Sequence, residues 1–359
     1  MEIKQINGLV KDAFVELKKF QSGEKQLVKT GYECIDSHIG GLLNGDILLI
    51  SALSGHGKSE MLFRMKKNIL DLNVNSEAED YVFLDISLEM KVFNIVLRGI
   101  HREMNKSKKK ILFEEFTEEE KEIAKKCYES MKDERQFISQ SPTSPDQFYK
   151  GCKEFLDGMV DKKAVFVAID HVLLISGGDK KKALEDVVEY MNRLKLDYEN
   201  VYFIMLSQMN RSIMGRISEK NNAAIPNPGD LYGSEFMTQI TSYSIALFNP
   251  YKVGIDEYMK VNTSRYEYLA EHFVSEKGSK ASFDTIGKLF YHVLKVREGE
   301  AVFKDLFIEE MDLDSDTLNK LRQEKIENKQ DNTVAEDEDI DIPVFSSTAL
   351  TNAKGVEFN

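Results

Sequence analysis

An open α/β sheet, mostly parallel and twisted, with helices on both faces, is the fold class this sequence predicts. Two observations carry that prediction. From Ile47 to Leu206, short apolar runs of strand length alternate with longer amphipathic stretches, the order that builds parallel strands joined by crossover helices. The segment from Asp46 to Met65, DILLISALSGHGKSEMLFRM, joins one such run to one such helix through a loop of small residues.

Taken in order, the chain first shows apolar side chains at Ile6, Leu9, Val10, Ala13, Phe14, Leu17 and Phe20, one helical stripe. Gly23 and the charged residues behind it separate this helix from the rest of the chain, so it either folds onto its own domain or docks as an arm on a neighbouring subunit. Gly40-Gly41 marks a turn into the buried strand at Ile47–Ile50. Tyr81–Ser87 is the next strand, followed by a helix over 92–104. Residues 106–135 are dense in Lys and Glu and read as solvated helices, with Ser107 and Thr117 as N-caps. Phe137-Ile138 is a short strand, 146–158 a helix, and Ala164–Ile169 the most apolar strand, ending in Asp170. A helix over 183–198 and a strand over 201–206 come next, the latter ending at Ser207-Gln208. Residues 211–229, rich in Gly, Asn and Pro, predict a long loop, usually functional inside a compact domain when it is not disordered. Strands are predicted at 242–248 and 289–296, with an irregular, Tyr-rich excursion between them. From about Asp312 the chain turns polar and acidic, with one helix at 317–327 and a disordered end. The expected division is a docking helix over 1–29, an α/β body over 30–310 and an acidic tail over 311–359.

Composition narrows the partners. The chain has 359 residues, 42% of them hydrophobic, enough for one large core or two smaller ones, and a net charge of -13. Residues 309–359 hold 14 acidic and five basic side chains, so the body is only mildly acidic and has room for a local basic site. Cys34, Cys127 and Cys152 are scattered without a C-x-x-C pair, which indicates neither a disulfide framework nor a zinc site and suits a reducing cytoplasm. The first 20 residues lack a signal-peptide core and no run reaches membrane-spanning length, so a soluble protein without a membrane partner is expected.

The loop Ser54-Gly55-His56-Gly57 carries the chemistry. Its small residues let successive backbone N–H groups face an anion at the positive end of the following helix. Lys58 reaches β- and γ-phosphates, and Ser59 supplies the hydroxyl that the pattern G-x-x-x-x-G-K-S/T places on Mg²⁺, although Ala52 stands where that pattern begins with Gly. ATP or GTP binding is the expectation. Asp170 fits an acid that holds Mg²⁺, Glu89 a base that activates water, and Gln208 a hydrogen-bonding partner of the γ-phosphate or of bound substrate. Each alone is also compatible with an ordinary strand-end role; three polar strand ends beside one phosphate loop lie where open α/β sheets bind ligands.

These residues resemble the C-terminal ATPase domain of DnaB-family replicative helicases, a RecA-like P-loop NTPase of superfamily 4. The matches run in order over roughly residues 30–300: Thr30, Gly31, Asp36 and Gly40-Gly41; the phosphate loop; Ser87-Leu88-Glu89-Met90; Ile169-Asp170; Leu206-Ser207-Gln208-Met209-Asn210-Arg211; Asp230-Leu231; and Lys295-Val296-Arg297-Glu298-Gly299. The resemblance implies a hexameric ring around single-stranded DNA with ATP between subunits. It makes Glu89 the catalytic base, Asp170 the Mg²⁺ residue and Gln208 the sensor, with Lys295 and Arg297 reaching the γ-phosphate from the adjacent subunit. It also places Arg211, Arg216 and Lys220 in a DNA-binding loop, where they would grip backbone phosphates.

Several features depart from the family. Tyr232-Gly233-Ser234 replaces a segment that usually holds an Arg, His171 stands where an aromatic commonly follows the acid and has a packing role, and residues 249–285 are longer than expected. Only about 30 residues precede the ATPase, so the helix over 6–20 takes the place of the family's linker helix. Such brevity resembles a phage-type system with a separate primase and loader. Two other readings stay open: a RecA- or KaiC-like recombinase or regulatory ATPase that does not unwind, and a non-catalytic module that assembles on single-stranded DNA or replisome partners. Ile342-Pro343-Val344-Phe345 and Val356-Glu357-Phe358 give the tail apolar points for partner binding.

Overall fold

The computed structural model describes residues 5–141, 143–175, 177–210, 212–218, 225–231, 233–262, 280–297 and 306–311, together with Gln323. Strands β1 (Ile47–Ala52), β2 (Tyr81–Ser87), β3 (Gln136–Ser139), β4 (Ala164–Asp170), β5 (Val201–Gln208) and β6 (Tyr243–Phe248) belong to one sheet. A short ribbon of β7 (Glu257–Asn262) and β8 (Lys280–Asp284) lies in the excursion, and β9 (Lys288–Val296) and β10 (Leu306–Glu310) return to the main sheet. The eight main strands run in the order β10-β9-β6-β1-β5-β4-β2-β3. All pairs from β6 to β3 are parallel; β9 and β10 are antiparallel additions at one edge. The expected mostly parallel α/β sheet is therefore present.

Alternation along the central strands explains the two-faced burial. Ile47, Leu49, Val165, Val167 and Phe203 pack with α7 (Pro145–Asp157) and α8 (Lys180–Asp197) on one face. Leu48, Ile50, Phe166, Ile204 and Leu206 pack with α2 (Glu33–Ile39) and α3 (Lys58–Ile69) on the other. Every residue of β1 and β4 is buried. On the α3 face, Phe83, Phe166 and Tyr202 stack across three strands at centroid distances of 5.8 and 4.6 Å. The chain leaves β1 for β2 on one side and later steps from β5 across β1 to β6, so β1 sits at the point where strand order reverses.

The charged stretch folds as its caps predict: α4 (Val92–Met104) is followed by α5 (Lys108–Phe113), capped by Ser107, and α6 (Glu118–Met131), closed by a Thr117/Glu120 capping box. A second box, Ser144 with Gln147, opens α7. Helix α1 (Ile6–Ser22) forms as expected and ends on Gly23 in the left-handed region. Its apolar stripe stays uncovered in the single chain, with Ile6 74% and Phe14 60% exposed. The expected loop over 211–229 contains order instead: α9 (Ser212–Ser218) buries Ile213, and Pro228–Asp230 makes a 3-10 turn. A further helix, α10 (Ser234–Ile240), precedes β6. The expected tail helix over 317–327 lies outside the described residues, apart from Gln323.

Candidate nucleotide site

The register pairs Ala52 with Gln208 and Ser87 with Asp170, and β4 lies beside β5, so the carboxyl ends of β1, β5, β4 and β2 stand side by side. Beyond Ala52 the loop turns through Gly55 and Gly57 at φ of 78° and 101°, conformations that cost a side-chain-bearing residue strain. Gly57 is the N-cap of α3, which aims the positive end of that helix at the loop.

Lys58, the first residue of α3, folds back so that its Nζ donates to the carbonyls of Ala52 at 3.1 Å and Leu53 at 3.3 Å. Burial lowers its pKa below the ordinary lysine value, against the pull of Asp170 and Glu89. Ser59 lies beside the Asp170 carboxyl, and burial pushes that carboxyl above its usual range, against the pull of the hydroxyl. Asp170 is 9% exposed and its Oδ1 has no hydrogen-bond partner among the described residues. An orphaned, buried carboxylate oxygen beside a hydroxyl is a donor set suited to a hard dication. Mg²⁺ takes one or two such protein oxygens and completes its shell from phosphates and water. Among the described residues no group of three His, Cys, Asp or Glu could hold a metal ion. His171 is half-buried, and burial lowers its pKa.

Glu89 is exposed in the bend after β2. The bend is held by Leu88 N–H on the Asp170 carbonyl at 2.9 Å, by Ser87 Oγ on the Met90 carbonyl at 3.2 Å and by Gln140, which bonds both Met90 and Val92. Gln208 ends β5, half-buried, between Ala52 and the β4 end.

Lys295 and Arg297 lie elsewhere. Because β9 runs antiparallel to β6, Val296 pairs with Tyr243, which pairs with Leu48 near the start of β1. Four residues of strand, about 13 Å, separate that level from Ala52. Both side chains rest on the carbonyl end of α10, Lys295 on Thr238 and Arg297 on Gln239. One chain therefore does not bring them to its own phosphate loop.

Of the expected DNA contacts, Arg211 and Lys220 lie outside the described residues, as does Tyr232. Arg216 forms a two-pronged bridge to Asp230, at 2.7 and 2.6 Å, and also donates to the Ile225 carbonyl. Asp230 is buried, and Asn210 N–H bonds its carbonyl at 2.6 Å, so this pair fastens the segment after β5 back onto the strand end. In this structure Arg216 holds the loop's base rather than offering a free cation.

The profile of the DnaB-like helicase C terminal domain matches residues 28–342. The chain belongs to that family. Among solved structures it is similar to the ATPase domain of G40P, with a TM-score of 0.62 at 16% identity over 86% of this chain and 95% of that one. It is also similar to a DnaB-like replicative helicase described with its interactions with primase, with a TM-score of 0.57 at 16% identity over 86% of this chain and 64% of that one. No curated protein matches. The DnaB-like neighbours confirm the RecA-like fold. Among the described residues, no helix is long and apolar enough to cross a membrane.

Two contributors to the site carry no sequence signal. Gln140 steadies the Glu89 bend from β3's end, and Lys252 places its Nζ 2.6 Å from the Gly55 carbonyl. Both come from distant chain segments, and neither belongs to a motif.

Two buried histidines make stability depend on pH. His56 is held down to about 4 by burial, then Lys252 and Lys58, and His292 to about 3 by burial. Both stay neutral in the folded chain while the unfolded chain takes up protons below about 6.5. The stability they contribute is full above that value and is lost as pH falls toward 4 and 3. Urea midpoints should drop between pH 6.5 and 5, approaching a slope of about 2.7 kcal/mol per pH unit for two protons. A shallower slope in His56→Asn/His292→Gln than in the parent is the expected pair of results, with His171, also lowered by burial, still contributing; equal slopes would refute the assignment.

Proposed function

We propose that the chain is an ATP-dependent, ring-forming replicative helicase that moves along single-stranded DNA and separates duplex. The observation that carries this reading is the division of the site: loop, Lys58, Ser59, Asp170, Glu89 and Gln208 gather at one end of the sheet, and Lys295 and Arg297 sit at the other. A site split in this way is completed by stacking subunits head to tail, the arrangement a ring provides.

In this reading the loop amides and Lys58 bind the phosphates, and Ser59 and Asp170 hold Mg²⁺, which offsets phosphate charge when bound. Glu89 accepts a proton from the attacking water. Gln208, half-buried beside Ala52, contacts the γ-phosphate and passes its presence to the segment fastened by Arg216 and Asp230. Arg297, with Lys295 beside it, leaves α10 to neutralise charge on the neighbouring subunit's leaving phosphate. Arg211 and Lys220 contact DNA backbone. The uncovered stripe of α1 is the surface that docks on the next subunit, burying Ile6, Leu9 and Phe14. A primase is a proposed partner, as for the DnaB-like neighbour described with primase.

The test is ATP hydrolysis with and without single-stranded DNA, together with separation of a forked duplex and electron microscopy with a nonhydrolysable ATP analogue. Stimulated hydrolysis, strand separation and closed or spiral rings of six are expected. Filaments without unwinding would favour a recombinase, and absence of hydrolysis with DNA present would leave an assembly module.

A further inference from the structure

We infer that His56, Asn249 and Lys252 form a clamp that sets the shape of the phosphate loop before nucleotide arrives, making them positioning residues for the site. This rests on the loop being the nucleotide site, as proposed above.

The clamp starts where β6 ends, beside β1. The ring of Phe248 stacks on His56 at 5.6 Å with the planes 25° apart. The next residue, Asn249, is 3% exposed, and its N–H donates to His56 Nδ1 at 3.0 Å. Asn249 Oδ1 accepts the Lys252 N–H at 3.2 Å, which fixes the turn after Pro250. That turn brings Lys252 Nζ to the Gly55 carbonyl at 2.6 Å. Side chain and carbonyl of two consecutive loop residues are thus tied to one element, across 193 and 197 positions of sequence.

The consequence is directional. A phosphate-binding loop works when its N–H groups face inward, which requires its carbonyls to be satisfied elsewhere. Lys58 occupies the Ala52 and Leu53 carbonyls and Lys252 occupies that of Gly55. The His56 ring, 5% exposed and neutral at ordinary pH, keeps Nδ1 available as the acceptor that Asn249 needs. With the loop already ordered, binding does not pay that ordering cost.

His56→Leu removes the acceptor and leaves the buried Asn249 N–H without a partner, so nucleotide should bind roughly tenfold more weakly. His56→Asn, whose Oδ1 stands near the place of Nδ1, should recover most of the affinity. Lys252→Met should weaken binding and Lys252→Arg should restore it; Lys252 is exposed, so these variants test the clamp even if His56→Leu does not fold. Binding of ADP and of a nonhydrolysable ATP analogue is measured by calorimetry on the full chain, with thermal unfolding in parallel. In steady state, KM for ATP should rise by a larger factor than kcat falls, which a loss of folded protein would not produce. Folded Leu and Met variants with dissociation constants within twofold of the parent would overturn the clamp alone. A parent chain that binds neither nucleotide would overturn the nucleotide reading with it.

Discussion

An Arg297→Ala chain is expected to hydrolyse ATP some 10³- to 10⁵-fold more slowly than the parent in the presence of DNA, the range found when an arginine finger is removed. Its nucleotide affinity as a single chain should hardly change, because Arg297 rests on α10 at the end of the sheet remote from Gly57 and Lys58. The decisive form of the experiment mixes two inactive chains. An Arg297→Ala subunit keeps its phosphate loop, and a Lys58→Ala subunit keeps its finger. Where the second lies against the first, one complete site is rebuilt, so the mixture should regain hydrolysis that neither chain has alone. No recovery in assemblies shown to contain both would mean that Arg297 does not act across the interface.

The same geometry shows why some of the fold was legible in the sequence and some was not. Strands β1, β4 and β5 lie inside the sheet, so burial on both faces writes them as unbroken apolar runs such as AVFVAI. Helices α5 and α6 are announced by Ser107 and Thr117, whose side chains satisfy the free N–H groups of the first turn. Edge strand β10 has no such signature: Leu306, Phe307 and Ile308 are followed at once by two acids, and what makes them a strand is pairing with β9. Helix α9, with Gly215 at its centre, has weak intrinsic preference and owes its order to Ile213 and to the Arg216–Asp230 bridge.

The site divides along the same line. Contiguous features were readable: the loop, Asp170 at the end of its strand, Glu89 after Ser87. Features made by distant segments were not, since nothing about Lys252 or Gln140 in sequence says which carbonyl it will meet. Arg216 illustrates the converse. Its place in a polar loop suggested a cation available to DNA, and tertiary structure supplied Asp230 as its partner.

Glu89→Gln should lower hydrolysis by roughly 10²- to 10⁴-fold, the usual contribution of a positioned base, while nucleotide and DNA binding persist. The choice between Glu89 and Asp170 as that base rests on their surroundings. Asp170 is buried beside Ser59 and has one oxygen without a hydrogen-bond partner among the described residues, surroundings that suit a cation ligand better than a base. Glu89 is exposed to where water enters, near enough for its charge to be felt by both Lys58 and Asp170. Its bend is braced at Ser87, Leu88 and Met90, so substituting an amide of the same shape removes the basic oxygen and leaves the bend in place. If Glu89→Gln hydrolyses ATP within tenfold of the parent, the base is another group; if it loses nucleotide affinity as well, Glu89 is structural. Slow hydrolysis with intact binding, trapping assemblies on DNA, is the result that makes Glu89 the base.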